Sequence, residues 1–360
     1  MSPTGPFEEF RKDEIEQSIP VRFEQQVALY PDRLAAKGAR YEFTYRQLNA
    51  TANQIAHAIL ARRGPGQEPV GVLLNTDALA VAAYLGILKA GKSYVPLDAA
   101  FPRERLADWL EDSTAGLIVT DVARSSLAES LAGPDRSWLL ADDLDATLPC
   151  SDPNLSLSPD TVATIYYTSG TSGRPKGVYT SHRNLLQHIQ RVTNAQRVQP
   201  TDRLASVRSI SFGGAMKDVF GAVLHGASVW FFDLQRRGFG QMASWLAENE
   251  ITIYVSVATT FRHLAASLSP GISFPALRYL HIGGEPLSWS DLELFKQHFS
   301  PTCVFNLGFG ITETGNVAYY PIDQETKLEE GDIPAGYPLL GMEVLILDEA
   351  GQEVKPGQLG

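Results

Sequence analysis

Residues 164–177 read TIYYTSGTSGRPKG, an apolar segment followed by a loop of small hydroxyl and glycine residues that closes with two cations. The β-branched and aromatic residues before the loop predict a buried strand. The glycines let the backbone turn its amides toward a ligand. Hydroxyls and amides can together cradle phosphate oxygens, and the closing arginine and lysine can balance their charge. The segment therefore predicts a strand that leads into a phosphate-binding loop.

This loop differs from two common nucleotide-binding motifs. Gly170 is followed after four residues by Pro175, whereas a P-loop has Gly-Lys-Ser/Thr there. The glycine spacing also differs from a dinucleotide fingerprint. Taken without its surroundings, a Gly/Ser-rich string of this kind is more often a flexible surface loop than a binding loop.

Helical and strand-like segments alternate on both sides of the loop. An entry helix is predicted near Ile19 to Leu29. A second helix is predicted to begin after a Thr44 cap and to end at Gly64, with one apolar face between them. Near the end of the chain, MEVLILDEAGQEV predicts a strand and a turn that closes at Gly351.

This alternation predicts an α/β fold with mainly parallel sheets. We expect a first wound α/β subdomain at 1–150 and a second at 151–335, which carries the phosphate loop. Residues 336–360 then read as the start of a smaller β-rich subdomain.

Composition excludes several classes of function. The net charge is −11 and no basic stripe is present, so nucleic acid is a poor partner. The N-terminus lacks the apolar core of a signal peptide, and no apolar run reaches the ~20 residues of a membrane span. Two distant cysteines, Cys150 and Cys303, suggest reduced thiols. We expect a cytoplasmic protein without a membrane partner.

Five further motifs accompany the loop in a fixed order, and together they resemble the adenylate-forming enzymes, most closely the adenylation domains of nonribosomal peptide synthetases. Acyl- and aryl-CoA ligases belong to the same superfamily. The motifs are FTYRQLN at 43–49, LKAGKSYVPLD at 88–98, SISFGGAMKDVFGAVLHGA at 209–227, HIGGEPL at 281–287 and LGFGITETG at 307–315, and the segment from 335 to 360 resembles the family's next one.

The resemblance implies a reaction in which a carboxylic acid and ATP give an acyl-adenylate and pyrophosphate. It implies that Lys176 adds positive charge at the phosphates. It also implies that Thr312 hydrogen-bonds the α-phosphate or the carboxylate, and that Glu313 contacts Mg²⁺. The loop residues expected to bind the β- and γ-phosphates are Thr168, Ser169, Gly170, Thr171, Ser172 and Gly173.

The same resemblance implies an adenine site. Phe309 stands where an aromatic ring stacks on the base. The opposite wall and the neighbouring strand correspond to Gly283, Gly284, Glu285, Pro286 and Gly308. A plain strand-to-helix turn is the alternative reading of the GGEP string, since Pro286 also suits the start of a helix.

The acid is expected to lack an α-ammonium group. Gly213 stands where adenylation domains for α-amino acids carry the aspartate that pairs with that group, and an unpaired buried ammonium is unfavourable. Asp218 is the nearest acidic residue that could replace it. A keto, hydroxy, aryl or fatty acid, or an amino acid with a displaced amine, is therefore expected.

The resemblance also supplies the remaining pocket positions. Four glycines among them suggest volume for a bulky or long substrate, and Lys217 could meet a second anionic group. As alternatives, Lys217 could reach solvent and His281 could be an ordinary core histidine. The positions are Gly213, Gly214, Lys217, Val255, His281, Gly283, Gly308, Asn316 and Val317.

Three questions of context stay open. In the family, the ribose-binding aspartate and a C-terminal domain with a catalytic lysine follow, and we expect both to lie beyond Gly360. The 360-residue chain is thus expected to adenylate weakly or not at all by itself. The acyl acceptor is expected to be the phosphopantetheine thiol of a carrier protein. A freestanding acyl- or aryl-CoA ligase and a non-catalytic interaction platform are the alternatives.

Overall fold

The computed structural model describes residues 7–168, 176–269, 271–327 and 333–354. These residues form two β-sheets with helices packed around them. Within the described residues the α-helices are α1 Ile19–Leu29, α2 Tyr45–Arg63, α3 Ala78–Lys89, α4 Arg103–Asp112, α5 Ser125–Ala132, α6 His182–Gln196, α7 Ala215–Val223, α8 Leu234–Arg237, α9 Phe239–Glu248, α10 Ala258–Ala266 and α11 Trp289–His298.

Short 3₁₀ helices occupy Lys12–Ile15 and Val122–Arg124. The strands of the described residues are β1 Leu34–Lys37, β2 Glu42–Thr44, β3 Pro69–Leu73, β4 Ser93–Leu97, β5 Leu117–Thr120, β6 Ser137–Leu140, β7 Val162–Thr168, β8 Lys176–Ser181, β9 Arg203–Ser206, β10 Ser228–Phe231, β11 Ile253–Ser256, β12 Tyr279–Gly283, β13 Val304–Ile311, β14 Gly315–Ile322 and β15 Tyr337–Pro338.

The larger sheet has nine strands in the order β15-β14-β13-β12-β11-β9-β10-β1-β2. Its central strands, from β13 to β1, pair in parallel. The pairs at both ends are antiparallel. The carboxyl ends of β11, β12 and β13 therefore lie at one edge, which is where open α/β sheets bind ligands.

The smaller sheet has six strands in the order β6-β5-β3-β4-β7-β8. All of its pairs are parallel except β7–β8, which form an antiparallel hairpin. The α/β class with mainly parallel sheets is thus confirmed.

Sheet membership does not change at residue 150. Strands β1 and β2 belong to the nine-stranded sheet, while β7 and β8 belong to the six-stranded sheet. Each sheet therefore takes strands from both sides of the expected boundary, because parallel pairing needs crossovers that let distant segments become neighbours. The division at 150 and 335 remains a prediction, to be tested by limited proteolysis.

One cluster of buried apolar side chains joins the two sheets, and each sheet has a further cluster of its own among the described residues. A single cluster of buried side chains includes Val70 of β3 and Tyr166 of β7 from the smaller sheet, and Val229 of β10 and Val255 of β11 from the larger one. Helix α3 is buried along its whole length within this cluster. Close packing of this cluster holds the two sheets together, so the residues at their common edge keep their relative positions.

The predicted helix ends are present. Helix α1 has the expected bounds. Thr44 caps α2 by accepting from the Gln47 amide, and the Gln47 side chain accepts from the Thr44 amide in return. Gly64 ends α2 with a φ of 65°, a conformation that favours glycine.

The last described segment is less regular than the sequence predicts. Strand β15 pairs with β14, and a single antiparallel bridge joins Leu347 to Glu353. Gly351 turns the chain between them with a φ of 75°. The expected turn is present, but the strand before it is reduced to that bridge. Among the described residues, no helix is both long and apolar enough to cross a membrane.

Candidate active site

A cavity of about 240 Å³ is lined by residues of both sheets. Tyr166 of β7 and Thr180 of β8 reach it from the smaller sheet. The larger sheet, helices α6 and α7 and the loop before α7 supply most of the rest. The lining residues expected from the sequence are Gly213, Gly214, Lys217, Val255, His281, Gly283, Gly284, Gly308, Thr312 and Asn316.

The expected phosphate loop is the connection of the β7–β8 hairpin. Thr168 at the end of β7 lies opposite Lys176 at the start of β8. Lys176 is exposed there. The hairpin thus brings a hydroxyl and a cation together at the base of the loop. The remaining loop positions, Ser169, Gly170, Thr171, Ser172 and Gly173, lie outside the described residues.

A second hairpin, β13–β14, presents Thr312 and Glu313 in its turn. Both residues are exposed, and Thr312 also lines the cavity. An ideal Cβ built on Gly213 would lie 3.6 Å from Cγ2 of Thr312 and 3.7 Å from the ring of Tyr166. Gly213 therefore lies beside Thr312 at the cavity.

The GGEP string leaves the carboxyl end of β12. Gly283 and Gly284 line the cavity, and Gly284 has a φ of 81° that favours glycine. The Glu285 carboxylate accepts from the Thr259 amide at the start of α10, at 2.7 Å. The string therefore forms a turn that connects β12 to the following helix, and its two glycines contribute to the cavity wall. Its contact with adenine remains a prediction.

The other expected adenine residues lie outside the cavity. Glu285, Pro286 and Phe309 are not among its lining residues. The Phe309 side chain is 53% exposed and follows Gly308, which lines the cavity. An exposed aromatic face at this edge is accessible to a flat ligand, but its contact with adenine remains a prediction.

Lys217, in the first turn of α7, belongs to a polar network inside the cavity. Its Nζ donates to Oδ1 of Asn316, and Nδ2 of Asn316 donates to the Tyr319 hydroxyl at 2.6 Å. His281 lies against the same amide, with 3.5 Å between Nε2 and Nδ2 of Asn316. Lys217 therefore faces the cavity and not solvent.

Burial controls the protonation of these groups. It lowers the pKa of Lys217 to about 8, with a further lowering by Arg208, while Asp218 acts in the opposite direction. Burial also lowers the pKa of His281 to about 3 and that of His188 to about 4, and the nearby Lys217 cation contributes to both. At neutral pH both imidazoles are uncharged and Lys217 remains mostly protonated.

Next to this network lies a buried ion pair that the motifs do not supply. Nη2 of Arg208 donates to Oδ2 of Asp218 at 2.9 Å and to the Gly214 carbonyl at 3.0 Å. The Asp218 side chain is only 1% exposed. Desolvation raises the pKa of Asp218, although the Arg208 guanidinium works against this. Asp218 lines the cavity, but its charge is already engaged.

Comparison with known proteins agrees with this geometry. Residues 23–360 match the family described as AMP-binding enzyme. The chain belongs to the AMP-binding enzyme family. It is 33% identical over 350 residues to tyrocidine synthase 3 of Brevibacillus parabrevis, an alignment that covers 94% of this chain and 5% of that protein. The chain therefore spans only a small part of that relative.

Solved structures show the same fold. The AMPPNP-bound form of the nonribosomal peptide synthetase FmoA3 has a TM-score of 0.84 at 26% identity, covering 92% of this chain and 35% of that one. The N-terminal subdomain of Klebsiella oxytoca NpsA, in complex with 3-hydroxybenzoyl-AMSN, has a TM-score of 0.82 at 20% identity, covering 97% of this chain and 86% of that one. The described fold is the N-terminal core of an adenylation domain.

Two expectations about the pocket of this AMP-binding enzyme need correction. Two of the four pocket glycines leave less volume than expected, because an ideal Cβ on Gly308 would lie 2.1 Å from Cε1 of His281 and one on Gly214 would lie 2.9 Å from Nη1 of Arg208. Larger side chains already fill that space. Val317 does not line the cavity. Asn316 pairs with Gly310 and Ala318 with Phe309, so Val317 is the extra residue of a bulge.

The sequence does not predict several residues that line the cavity of this AMP-binding enzyme. It predicts Asp218 only as a partner for an ammonium group, whereas the structure pairs Asp218 with Arg208. Arg208 lies directly before the SISF motif, outside the positions that the resemblance supplies. Tyr166 lies inside the phosphate-loop motif, but the sequence assigns its ring only to the strand. The missed lining residues that carry polar groups are Tyr166, Thr180, His188, Gln196, Arg208 and Tyr319.

Proposed function

We propose that this chain supplies the ATP- and acid-binding core of an enzyme that activates a carboxylic acid as its adenylate. The reaction forms a bond between a carboxylate oxygen and the α-phosphorus, and it breaks the bond between the α- and β-phosphates so that pyrophosphate leaves. The observation that carries the proposal is the placement of Thr312 at the cavity, beside Gly213. Acid and phosphate would meet in the cavity beside these two residues.

The β7–β8 hairpin is proposed to bind the phosphates and the β13–β14 hairpin the carboxylate. Thr168 and Lys176 hold the base of the expected phosphate loop, where a hydroxyl and a cation can bind the leaving pyrophosphate. Thr312 offers a hydroxyl where the carboxylate would approach. Catalysis of this kind depends mainly on position and charge, since little covalent chemistry falls to the protein.

Magnesium fits the residues present. Glu313 is an exposed carboxylate in the hairpin turn next to Thr312, and no ion pair among the described residues engages it. Mg²⁺ prefers oxygen ligands and often binds through one or two carboxylates together with phosphate oxygens and water. When bound, the metal would neutralise charge on the phosphates. Glu313 is the residue that would hold it.

The acid is proposed to lack an α-ammonium group. Gly213 provides no carboxylate, and Asp218, the only acidic residue lining the cavity within the described part of the chain, is paired with Arg208. An ammonium group entering here would also meet the Lys217 cation. Desolvation of an ammonium group without a partner is unfavourable by several kcal/mol. A penalty of that size excludes α-ammonium acids as substrates.

Transfer of the acyl group to the phosphopantetheine thiol of a carrier protein is the proposed next step. The support is the similarity to tyrocidine synthase 3 and to the nonribosomal peptide synthetase FmoA3. A carrier-protein acceptor would place this chain in a nonribosomal peptide or hybrid assembly line.

A binding experiment tests the core of the proposal. Calorimetry with the 360-residue chain would compare nonhydrolysable sulfamoyl analogues of acyl-adenylates, in pairs that differ only by an α-ammonium group. We expect the analogue without the ammonium to bind at least about tenfold more tightly, which corresponds to ~1.4 kcal/mol. Tighter binding of the α-ammonium analogues would refute the substrate assignment, and absence of binding to every analogue would refute adenylation.

A further inference from the structure

The cavity has an excess of positive charge. Lys217 lines it, and its one described hydrogen-bond partner is the neutral amide of Asn316. None of the ion pairs found among the described residues includes Lys217. A lysine that is partly removed from water and lacks a counter-charge is unfavourable, so its persistence in a binding cavity calls for a compensating group.

Protein groups do not supply that compensation. Asp218 is adjacent in sequence, but its Oδ2 accepts from Arg208, so the two together are neutral. Their charges act on Lys217 in opposite directions, and the effect of Arg208 is the larger one. The local balance around the Lys217 amine is therefore positive.

The other polar groups near Lys217 are uncharged at neutral pH. His281 and His188 have pKa values lowered to about 3 and about 4. Tyr319 is buried, and burial raises its pKa above the normal range. These groups can orient a ligand by hydrogen bonds, yet none of them neutralises the amine. Arg191 lies close enough to lower the pKa of His188 further, which adds another cation on the α6 side.

The network also holds the lysine in place. Oδ1 of Asn316 accepts a hydrogen bond from Nζ of Lys217, and Nδ2 of Asn316 donates one to the Tyr319 hydroxyl, so the amide is fixed in one orientation. Tyr319 in turn packs on the His281 ring, with 4.9 Å between centroids. A lysine has three N–H donors, and the described contacts engage one of them. The remaining donors are available to a ligand in the cavity.

We propose that the acid activated by this chain carries a second anionic group, such as a second carboxylate, and that Lys217 binds it inside the cavity. This inference rests on the proposed function, because it concerns the substrate of the same site. The reacting carboxylate belongs near Thr312 and Gly213, at the mouth of the cavity. The second anion would lie at the Lys217–Asn316 wall, where a charge-assisted hydrogen bond forms in a partly desolvated environment.

The opposite possibility is a substrate with a distal ammonium group that binds Asp218. Oδ1 of Asp218 has no hydrogen-bond partner among the described residues, so it could accept one more proton donor. That ammonium would lie beside both Lys217 and Arg208, which repel it. The charge balance therefore favours the anion, and the two possibilities predict opposite results in a direct comparison.

The experiment uses the 360-residue chain and a matched set of sulfamoyl adenylate analogues. Their acyl chains have equal length and end in a carboxylate, a carboxamide, a methyl or an ammonium group. Calorimetry gives the affinity of each. We expect the wild-type chain to bind the carboxylate-ended analogue at least about tenfold more tightly than the carboxamide-ended one, and the ammonium-ended analogue most weakly.

Two variants test the role of the lysine. Lys217→Met keeps the length of the side chain without its charge, and we expect the carboxylate-to-carboxamide affinity ratio to fall to about one. Lys217→Arg keeps the charge, and we expect it to retain a preference for the carboxylate. Circular dichroism of each variant checks that it is folded.

The outcomes separate the two proposals. Binding of the analogues without any preference for the carboxylate would overturn the second-anion inference and leave adenylation intact. Preference for the ammonium-ended analogue, or a carboxylate preference that survives in Lys217→Met, would also overturn it. Failure of all four analogues to bind would refute the proposed function itself. The wild-type comparison decides the inference even if Lys217→Met does not fold.

Discussion

The ring of His281 fills the space that a side chain on residue 308 would need. An ideal Cβ on Gly308 would lie 2.1 Å from Cε1 and 2.5 Å from Nε2 of the histidine ring. The two residues lie on the neighbouring parallel strands β12 and β13. Gly308 pairs with Gly283, which is two positions after His281 on β12. The absence of a side chain at Gly308 therefore allows the neutral imidazole of His281 to lie in the cavity wall beside Asn316.

Replacement of this glycine should be harmful for a steric reason. We expect Gly308→Ala to lower the free energy of unfolding by about 1–3 kcal/mol, because the ring must move in a packed environment. Gly213→Ala is the matched control, since its nearest neighbour would be 3.6 Å away, and we expect a change within about 0.5 kcal/mol. Urea unfolding of both variants makes the measurement. Equal losses would show that the packing argument is wrong.

A charge added at Gly213 should change the preference for the acid. The space beside this glycine accepts a side chain, because the nearest atoms of Thr312 and Tyr166 would lie at 3.6 and 3.7 Å from the new Cβ. We expect Gly213→Asp to improve the affinity for an α-ammonium adenylate analogue at least about tenfold relative to the analogue without it. Calorimetry with that pair of analogues measures the change.

The control for this substitution is Gly213→Asn, which has nearly the same size and no charge. We expect it to leave the relative affinity for the two analogues within about threefold of the wild-type value. If the asparagine variant gained as much as the aspartate variant, shape and not charge would explain the effect, and the role assigned to residue 213 would fail.

The parts of the fold that the sequence predicts are those set by local chemistry. Thr44 and Gly64 bound a helix as expected, because a cap and a left-handed glycine depend on a few adjacent residues. Strand β7 precedes the loop as predicted, because its β-branched and aromatic residues favour a buried strand. The sequence does not predict the return strand β8, which completes the hairpin. The motifs predict the pocket glycines, His281, Lys217 and Asn316 as residues of one site, and all of them line one cavity.

Features that depend on distant contacts could not be predicted in this way. Arg208 pairs with Asp218 only because the loop before α7 folds back on the helix, and no local pattern encodes that turn. The bulge at Val317 arises from pairing with β13, which shifts register between Phe309 and Gly310. The exchange of strands between sheets likewise depends on crossovers between segments far apart in the chain.

Acid should destabilise the chain through its buried histidines. Desolvation lowers the pKa of His182 and His188 to about 4, and of His225 and His281 to about 3. Between these values and the unfolded pKa near 6.5, the unfolded state binds more protons than the native state, so stability falls as pH falls through that window. We expect a loss of up to about 2 kcal/mol per histidine between pH 7 and pH 5.

Urea unfolding at pH 7 and pH 5 measures this loss, and a histidine variant assigns it. His225 packs with Phe10 and contacts the Thr193 hydroxyl, away from the cavity. We expect His225→Gln to reduce the difference between the two pH values by roughly a quarter, whatever its effect at pH 7. An unchanged difference would mean that His225 is protonated in the native state.

Removal of the Glu313 carboxylate should uncouple ATP binding from magnesium. Because the residue is exposed in the β13–β14 turn, Glu313→Gln should change the free energy of unfolding by less than about 0.5 kcal/mol. We expect the gain in ATP affinity on replacing EDTA with Mg²⁺ to fall about tenfold in the variant, because the metal loses its protein ligand. Calorimetric titration of ATP under both conditions measures that gain. Glu293→Gln, an exposed acid on α11, is the matched control, and an equal loss in both variants would indicate general screening of the phosphates and not a metal ligand.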